Sequence, residues 1–357
     1  AARPDAPHED ADRAAGRAFA DDDGCRDELE GIACGSALAA LIRPLGVVLV
    51  PDGAANPVPT RTGCAHRRGI ATGAPRTRVW PTLVSLRNKI LLVGETDTGK
   101  VREHNEDTIA IDPDIGLLVL ADGMGGYNAG EVASGIAVKT IVNLVRESVE
   151  REDLAGTDPL TQLSRRSIVL RDAIQRANKI IYQTAKTQPQ CEGMGTTVVG
   201  ALFHDDRVTI AHVGDSRLYR LRGGSFEQLT SDHSLLQELV DRGFYSPEEA
   251  QRAANKNYVT RALGVEPNVE VGLREEEVDK GDHFVLCSDG LSDMVEDADI
   301  HLTINTFGDN LGSVAKHLIQ LANDNGGRDN VSVLLAQVID GFPARRGLVE
   351  RVLGWFG

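Results

Sequence analysis

The stretch LLVLADGMGG, residues 117–126, joins five apolar residues to an aspartate and a glycine-rich segment. A short apolar run that ends in turn residues is typical of a buried strand. We therefore predict a strand that ends near Ala121, with Asp122 opening a turn. Gly123 has no side chain, so its backbone carbonyl could approach a metal ion closely.

Three more aspartates lie beside apolar runs in the same way. Asp289 follows one run, Asp215 lies in a turn after another, and Asp329 precedes the last one. Each alone could be an ordinary turn or capping residue, but four carboxylates at strand ends can meet on one rim of a sheet. Such carboxylates repel and raise each other's pKa unless cations lie among them. Oxygen ligands favour Mg2+ or Mn2+ over Zn2+, so we predict a site for hard divalent cations.

From Lys89 onward the pattern contains groups of short strands and pairs of helices. The predicted strands are residues 90–93, 108–111, 116–120, 196–203, 208–212, 217–221, 226–229, 269–273, 283–288 and 331–338. The predicted helices are residues 131–150, 160–185, 235–242, 247–254 and two more within 297–323. Because strands and helices do not alternate one by one, the pattern indicates an α+β fold, with antiparallel sheets and helices packed outside them.

The two ends of the chain differ from this pattern. Residues 1–84 are rich in alanine, arginine and proline, and the first lysine is Lys89. We predict a poorly ordered extension there, and an alternative hypothesis is that the natural chain begins near Val84. Residues 85–340 are predicted to form one domain. Residues 341–357 form a short amphipathic tail, for which packing on the domain or a flexible end is favoured over contact with a membrane or partner.

Composition excludes several classes of protein. The 357 residues are 41% hydrophobic, which excludes wholesale disorder, and the net charge of −15 argues against a surface that binds nucleic acid. No run reaches the roughly 18 apolar residues that a transmembrane anchor needs. Five cysteines with no CxxC pair argue against a disulfide framework or a zinc ribbon. We therefore expect a cytoplasmic protein.

Arg102 lies in the acidic segment VREHNED, residues 101–107. The planar guanidinium group presents two parallel donors that match two phosphate oxygens. The alternative is an ordinary surface ion pair with Glu103 or Glu106. The residue types alone favour the ion pair.

Eight motifs occur in a fixed order: VREHNED (101–107), LADGMGG (120–126), GMGTT (193–197), HVGDSRLYRLR (212–222), LTSDHS (229–234), VTRALG (259–264), CSDGLSD (287–293) and GGRDNVSV (326–333). In this order they resemble the metal-dependent serine/threonine protein phosphatases, the PPM or type 2C family, in its bacterial form. The resemblance covers about residues 90–340. It implies a β-sandwich of two antiparallel sheets flanked by pairs of helices, with a metal centre at one end.

The resemblance also implies a role for each matching residue. Asp122 resembles the aspartate that bridges two cations, and Gly123 offers its carbonyl to one of them. Asp289 and Asp329 resemble further ligands of the first cation. The implied ligands of the second cation are Glu106 and Asp107. A third, weaker site would use Asp215 and Asp289, with Asp232 as a helper, so two or three Mn2+ or Mg2+ ions are expected.

The implied reaction is hydrolysis of phosphoserine or phosphothreonine in proteins by a metal-bridging water. Arg102 resembles the arginine that binds the phosphate, so the catalytic residues would be Arg102 and Asp122. Residues 234–258 resemble a flap over the substrate. A monomer that reverses a cognate serine/threonine kinase is expected. No general acid is assigned, because Met124 and Tyr127 stand where relatives often have histidine; a cation-bound water is favoured and His104 is an alternative.

Other readings remain open at this point. Residues 94–100, GETDTGK, match the spacing of a nucleotide-binding loop, but Val101 follows where a serine or threonine is needed. Asp112 and Asp114 fit a turn better than an aspartyl-phosphate site, and no cysteine has the Cys-x5-Arg pattern of cysteine phosphatases. A binding module without turnover, or a hydrolase of small phosphorylated molecules, would use the same cluster of acids.

Overall fold

The computed structural model describes residues 48–49, 86, 88–126, 129–151, 154–246, 249 and 258–342. The strands in these residues are β1 (Val48–Leu49), β2 (Ile90–Asp97), β3 (Asp107–Asp112), β4 (Leu117–Met124), β5 (Gly195–Thr196), β6 (Val198–His204), β7 (Arg207–Val213), β8 (Arg217–Arg222), β9 (Ser225–Gln228), β10 (Gly272–Glu277), β11 (His283–Cys287) and β12 (Val331–Val338). The α-helices are α1 (Ala129–Arg151), α2 (Arg165–Thr187), α3 (Leu235–Asp241), α4 (Asp289–Ser292), α5 (Asp297–Phe307) and α6 (Leu311–Asp324).

The strands form two antiparallel sheets. The first has the order β1-β3-β4-β6-β7-β10, with β5 paired to β4, and the second has the order β2-β12-β11-β8-β9. The long helices α1 and α2 pack on the first sheet, and α5 and α6 pack on the second. The predicted α+β fold, with two antiparallel sheets flanked by pairs of helices, is confirmed.

The central strands are apolar along their whole length because both of their faces are buried. In β4, Leu117 and Val119 face α1 and α2, whereas Leu118 and Leu120 face the second sheet. Phe203 and Phe284 meet edge to face between the sheets, with ring centroids 5.3 Å apart. Successive side chains of a strand point to opposite faces, so one continuous apolar run supplies two separate cores.

The layer between the sheets becomes polar at one end. In β4 the inward positions run from Leu118 and Leu120 to Asp122, because every second residue faces the same side. The neighbouring strands also change from apolar to polar residues at this end. Their polar side chains hydrogen-bond to one another: Thr96 with Ser332 at 2.8 Å and Ser288 with Asp107 at 2.9 Å. We call this end of the sandwich, defined by Thr96, Asp107, Asp122, Ser288 and Ser332, the polar end.

Several element boundaries differ from the predicted ones. Strand β4 does not stop at Ala121 but continues to Met124, because Asp122 pairs with Asp107 and Gly123 pairs with Thr196. Helix α2 starts at Arg165 instead of residue 160, because Ser164 caps it by accepting a hydrogen bond from Ser167 N. These are pairings and caps that a hydrophobic pattern does not encode.

Strand β10 begins at Gly272, three residues later than predicted, and runs on through three glutamates. Val269 and Val271 instead pack against the core beneath α1 and α2. Glu275 fits inside the strand because it accepts a hydrogen bond from Ser164 N at 2.9 Å and another from Ser167 Oγ. A charged residue in a strand is tolerated here because its carboxylate has partners.

Some predictions fall on residues outside the described part of the chain. These are the extension over 1–84 apart from Val48–Leu49, the middle of the flap over 247–257 apart from residue 249, and the tail after residue 342. Val48 and Leu49 pair with Ile111 and Ala110 of β3. Among the described residues, no helix combines the length and the apolar character needed to cross a bilayer.

The first prediction compares two glycines of helix α1. A Cβ at Gly130 would lie 2.8 Å from the backbone carbon of Gly123, whereas a Cβ at Gly135 would meet nothing within 4 Å. We expect Gly135→Ala to raise the free energy of unfolding by about 0.5–1 kcal/mol, because alanine favours the helix. Gly130→Ala should lower it by about 1–3 kcal/mol, because the helix must move away from β4. Urea unfolding of metal-free protein measures both values, and equal effects would contradict this packing.

Candidate metal centre

Asp107 and Asp122 occupy directly opposed positions in the β3–β4 ladder. Opposed residues of two antiparallel strands place their side chains on the same face, where like charges destabilise the pair. Burial raises the pKa of Asp107 to about 6. Burial also raises the pKa of Asp122 well above its usual range, and the charge of Asp107 adds to this effect. Two carboxylates are therefore held together in a place that disfavours their charge.

The other predicted aspartates lie close enough to Asp122 to affect its pKa. After burial and Asp107, the groups that raise the pKa of Asp122 are Asp289, Asp215 and Asp329. These residues come from separate parts of the chain: Asp289 starts α4, Asp215 precedes β8, and Asp329 precedes β12. The structure therefore brings together the four aspartates that the sequence placed at strand ends.

One acidic residue of this group was missed by the sequence analysis. Asp293 raises the pKa of both Asp289 and Asp215, although in each case burial has the larger effect. Its backbone N–H donates to Asp289 O at 2.7 Å, one turn later in the same segment. The signal was present in the motif CSDGLSD, whose second aspartate lies four residues after the first.

Three carboxylate oxygens at this centre suit a cation. Glu106 Oε1, Asp107 Oδ1 and Asp289 Oδ1 are buried and have no hydrogen-bond partner. Asp107 Oδ2, by contrast, accepts a hydrogen bond from Ser288 Oγ at 2.9 Å. A buried carboxylate oxygen without a donor is costly, and a hard divalent cation is the ligand that satisfies it best. The oxygen donors present therefore fit Mn2+ or Mg2+.

The side chains do not form a closed ligand shell. Across the described ranges, no three His, Cys, Asp or Glu side chains are grouped tightly enough to hold a metal ion as they stand. Several of the acids are bound to other groups instead, such as Asp107 to Ser288 and Asp329 to Arg102. The ligand assignments made from the sequence therefore remain predictions.

Arg102 pairs with one of the predicted ligands. Its Nη2 lies 2.7 Å from Asp329 Oδ2, and about half of the Arg102 side chain is exposed. The expected surface ion pair therefore exists, but its partner is Asp329 and not Glu103 or Glu106. An exposed pair of this kind contributes little to stability, so the guanidinium group can exchange partners easily.

Glu106 lies next to Asp107, at the N-terminal end of helix α1. Its carboxylate is half-buried, and burial raises its pKa. Its Oε1 would be 2.6 Å from a Cβ at Gly130, so it packs directly against the first turn of the helix. Backbone N–H groups at a helix start favour negative charge, which helps to hold the acid in this place.

Asp232, the predicted helper at the third cation site, lies close enough to Asp215 to add to the rise in the pKa of Asp215 that burial causes. Arg217 Nε donates to both oxygens of Asp232, at 3.1 and 3.0 Å, and Arg217 Nη2 donates to Oδ2 at 2.7 Å. Gln228 Nε2 donates to Oδ1 at 2.9 Å. Both carboxylate oxygens of Asp232 are therefore engaged, and its main contact is an ion pair with Arg217.

Two threonines fix the backbone of Asp122. Thr197 donates its N–H to Asp122 O at 2.8 Å and accepts from Asp122 N through Oγ1 at 3.1 Å. Thr196 Oγ1 donates to the same carbonyl at 2.8 Å. Thr197 Oγ1 also shares a hydrogen bond with Ser216 Oγ at 2.7 Å, next to Asp215. The motif GMGTT was noticed in the sequence, but its positioning role was not.

The candidate proton donors remain unassigned. His104 is exposed on the segment that precedes Glu106, and Met124 ends β4. Tyr127 lies outside the described residues. Nothing in this arrangement selects a general acid among the side chains near the centre.

Comparison with known proteins gives a consistent result. Residues 99–330 match the family model described as Protein phosphatase 2C. Over 245 residues the chain is 39% identical to the serine/threonine protein phosphatase PstP of Mycobacterium tuberculosis, an alignment that covers 69% of this chain and 44% of that protein. It is 38% identical to the serine/threonine phosphatase stp of Listeria monocytogenes, covering 68% of this chain and 93% of that protein. The chain thus spans less than half the length of PstP.

Solved structures agree with this result. A crystal structure of the Mycobacterium tuberculosis phosphatase PstP/Ppp is similar with a TM-score of 0.62 and 38% identity, covering 70% of this chain and 99% of that one. The catalytic domain of PstP in complex with two manganese ions is similar with a TM-score of 0.60 and 39% identity, covering 71% and 99%. The predicted family, with its β-sandwich fold, is confirmed: the chain belongs to the protein phosphatase 2C family of serine/threonine protein phosphatases.

Proposed function

We propose that the chain hydrolyses phosphoserine and phosphothreonine in proteins, with divalent cations held at the polar end of the sandwich. The observation that carries this proposal is the cluster of aspartates around Asp122, in which Asp107 is buried and two oxygens have no hydrogen-bond donors. Membership of the protein phosphatase 2C family supports the reaction class.

The cluster offers several carboxylates that could act as oxygen ligands. We propose that Asp122, Gly123, Asp289 and Asp329 hold one cation, and that Glu106, Asp107 and Asp122 hold a second. Asp215 and Asp289 would hold a third, with Asp293 nearby. When bound, Mn2+ or Mg2+ would supply the positive charge that makes water nucleophilic near neutral pH. The protein's part is to keep several carboxylates fixed at one point, so that little rearrangement is needed.

Arg102 would orient the phosphate group. It is exposed at the edge of the cluster and paired with Asp329 through one nitrogen, which leaves further guanidinium donors for an incoming anion. A phosphate carries more charge than a carboxylate and offers two oxygens to the planar fork. We propose that Arg102 moves from Asp329 to the substrate phosphate and stabilises the charge that grows on its oxygens.

The substrates and partners follow from the chemistry of this site. We propose phosphorylated proteins as substrates, a cognate serine/threonine kinase as the opposing enzyme, and a monomer in the cytoplasm as the working form. The names of the relatives PstP and stp as serine/threonine phosphatases support protein substrates. The described cysteines, Cys191 and Cys287, are buried thiols, which fits a reducing compartment. Nucleic acid is not proposed as a partner, because of the net charge of −15.

The proposed activity is tested by release of inorganic phosphate from a phosphothreonine peptide, with Mn2+ or Mg2+ added to the purified chain. We expect turnover with either cation, loss on chelation, and a reduction of at least about 100-fold in Asp289→Asn. Release from p-nitrophenyl phosphate alone would favour a hydrolase of small molecules. A folded protein that shows no turnover with either cation would favour a binding module and contradict the proposal.

Asp122→Asn should have opposite effects on activity and on stability. When folding raises the pKa of an acid, the folded state binds its proton more tightly than the unfolded state does. The folded state therefore loses stability as pH rises from the ordinary pKa to the raised one, which is about 6 for Asp107 and Asp215. Removing the charge of Asp122 relieves its repulsion with these neighbours. We expect the metal-free variant to melt a few degrees higher than wild type at pH 7.5, with a smaller difference at pH 5. We also expect no further stabilisation of the variant by Mn2+.

The control for this prediction is Asp158→Asn. Asp158 is partly exposed and lies outside the acidic cluster, and its hydrogen bonds from Thr161 lower its pKa, so this variant should gain no stability. Thermal melting at the two pH values, with and without Mn2+, measures all of these effects. An Asp122→Asn protein that is less stable than wild type without metal would show that the cluster is not under electrostatic strain.

Arg102→Ala should separate phosphate binding from metal binding. We expect kcat/KM for a phosphothreonine peptide to fall by about 100-fold or more, because no guanidinium group then donates hydrogen bonds to the phosphate oxygens on which charge grows. Loss of Arg102 also frees the Asp329 carboxylate from its ion pair with the guanidinium group, so the affinity for Mn2+ should be unchanged or higher. Titration calorimetry and steady-state kinetics measure the two effects, with Arg176→Ala on the exposed side of α2 as the control. A drop in Mn2+ affinity would contradict this division of roles.

A further inference from the structure

Asn330 is a buried amide between Asp329 and strand β12. Its Nδ2 donates to Thr98 O at 3.0 Å and to His104 O at 2.9 Å, and its Oδ1 accepts from Glu106 N at 2.8 Å. Both amide hydrogens and the amide oxygen are thus used on one segment, residues 98–106. An asparagine side chain has two N–H donors and one carbonyl oxygen, so nearly all of its hydrogen-bonding capacity is used here.

The segment that Asn330 holds carries part of the proposed site but has little regular structure. It contains Arg102 and Glu106 and lies between strands β2 and β3. The N–H groups of Lys100 and Val101 both donate to Gly327 O, and Glu106 O accepts from Gly123 N at 3.2 Å and from Ser134 Oγ at 2.6 Å. The loop that carries Arg102 is therefore held by residues 327–330, more than 220 positions later in the chain, and Glu106 is held both by Asn330 and by strand β4 and the start of helix α1.

The backbone of Asn330 contacts two more parts of the cluster. Its N–H donates to Asp329 Oδ1 at 2.8 Å. Its carbonyl lies against Gly290, where a Cβ would be only 2.0 Å from Asn330 O. Asp289 is the residue directly before this glycine. One residue therefore touches the segments that carry Arg102, Glu106, Asp289 and Asp329.

We propose that Asn330 is a positioning residue that sets the register between the phosphate-binding segment and the metal ligands. Its amide fixes Glu106 and the loop of Arg102 relative to Asp329 and Asp289. This inference rests on the proposed function, because it assigns Asn330 to the same site. Residues that orient metal ligands from behind commonly change metal affinity or activity by about 10- to 100-fold when they are removed.

Asn178 provides a matched control for this proposal. It is equally buried, donates from Nδ2 to Glu266 O at 3.0 Å and accepts from Gly264 N at 2.8 Å. It therefore joins two distant segments as Asn330 does, but neither segment carries a proposed ligand. Asn178→Ala reports the effect of losing a buried structural amide that bonds no segment carrying a proposed ligand.

The test compares Asn330→Ala with Asn178→Ala as full-length proteins. In metal-free protein we expect Asn330→Ala to speed hydrogen exchange of the Glu106 amide, because its acceptor is gone. We expect Mn2+ affinity to fall by about tenfold or more in calorimetry, and kcat for a phosphothreonine peptide to fall by a similar factor. Asn178→Ala should lose comparable thermal stability but keep both values within about twofold.

Asn330→Asp is the second variant, used if Asn330→Ala does not fold. It keeps an acceptor for the Glu106 amide but replaces both donors by an oxygen that faces the carbonyls of Thr98 and His104. We expect faster hydrogen exchange over residues 98–104 and a protected Glu106 amide. If neither variant folds while Asn178→Ala does, the role of Asn330 is structural and the proposal is overturned.

A folded Asn330→Ala protein with wild-type exchange at Glu106 and wild-type Mn2+ affinity would also overturn the proposal. The exchange and calorimetry readouts do not depend on catalysis. If the wild-type chain shows no turnover but Asn330→Ala still loosens this segment and weakens Mn2+ binding, the proposed function fails and the positioning role stands.

Discussion

Repulsion among buried carboxylates is the constraint on which the functional end of this molecule depends. Asp107 and Asp122 face each other across a strand ladder, and the charges of Asp289, Asp215 and Asp329 also raise the pKa of Asp122, after burial and Asp107. Burial alone disfavours their charge, and each neighbour adds to that effect. Only a fold that is stable elsewhere can hold such a group together. The apolar remainder of the inter-sheet layer and the two helix-covered cores supply that stability.

The acids are held by a frame of neutral hydrogen-bonding groups. Thr196 and Thr197 fix the backbone of Asp122, Ser288 binds Asp107, and Asn330 ties the Glu106 segment to Asp329. None of these groups adds charge to the cluster. A frame of this kind fixes backbone positions while leaving carboxylate oxygens such as Asp107 Oδ1 and Asp289 Oδ1 available to a cation. The clustered acids lower the stability of the metal-free protein, but their fixed positions mean that little rearrangement is needed when a cation binds.

Local patterns predicted the elements well and the contacts between them poorly. Strand β12 has the predicted bounds, and the aspartates expected at strand ends lie near enough to one another to raise the pKa of Asp122, because neighbouring residues encode burial and period-two alternation. The pairing of Arg102 with Asp329 and of Asp232 with Arg217 was not predicted. The first joins residues 227 positions apart, and the second depends on how β8 meets the turn after β9. Such pairings depend on the register of the folded sheets and leave no periodic signal in the sequence.

The most direct test of the account is anomalous diffraction from crystals of the chain grown with Mn2+. The account predicts at least two manganese peaks at the polar end, with an oxygen of Asp122 within about 2.5 Å of both, Asp289 and Asp329 beside one, and Asp107 and Glu106 close to the other. Manganese bound elsewhere, or a polar end where the carboxylates of Asp122 and Asp289 contact only protein groups at saturating Mn2+, would contradict it.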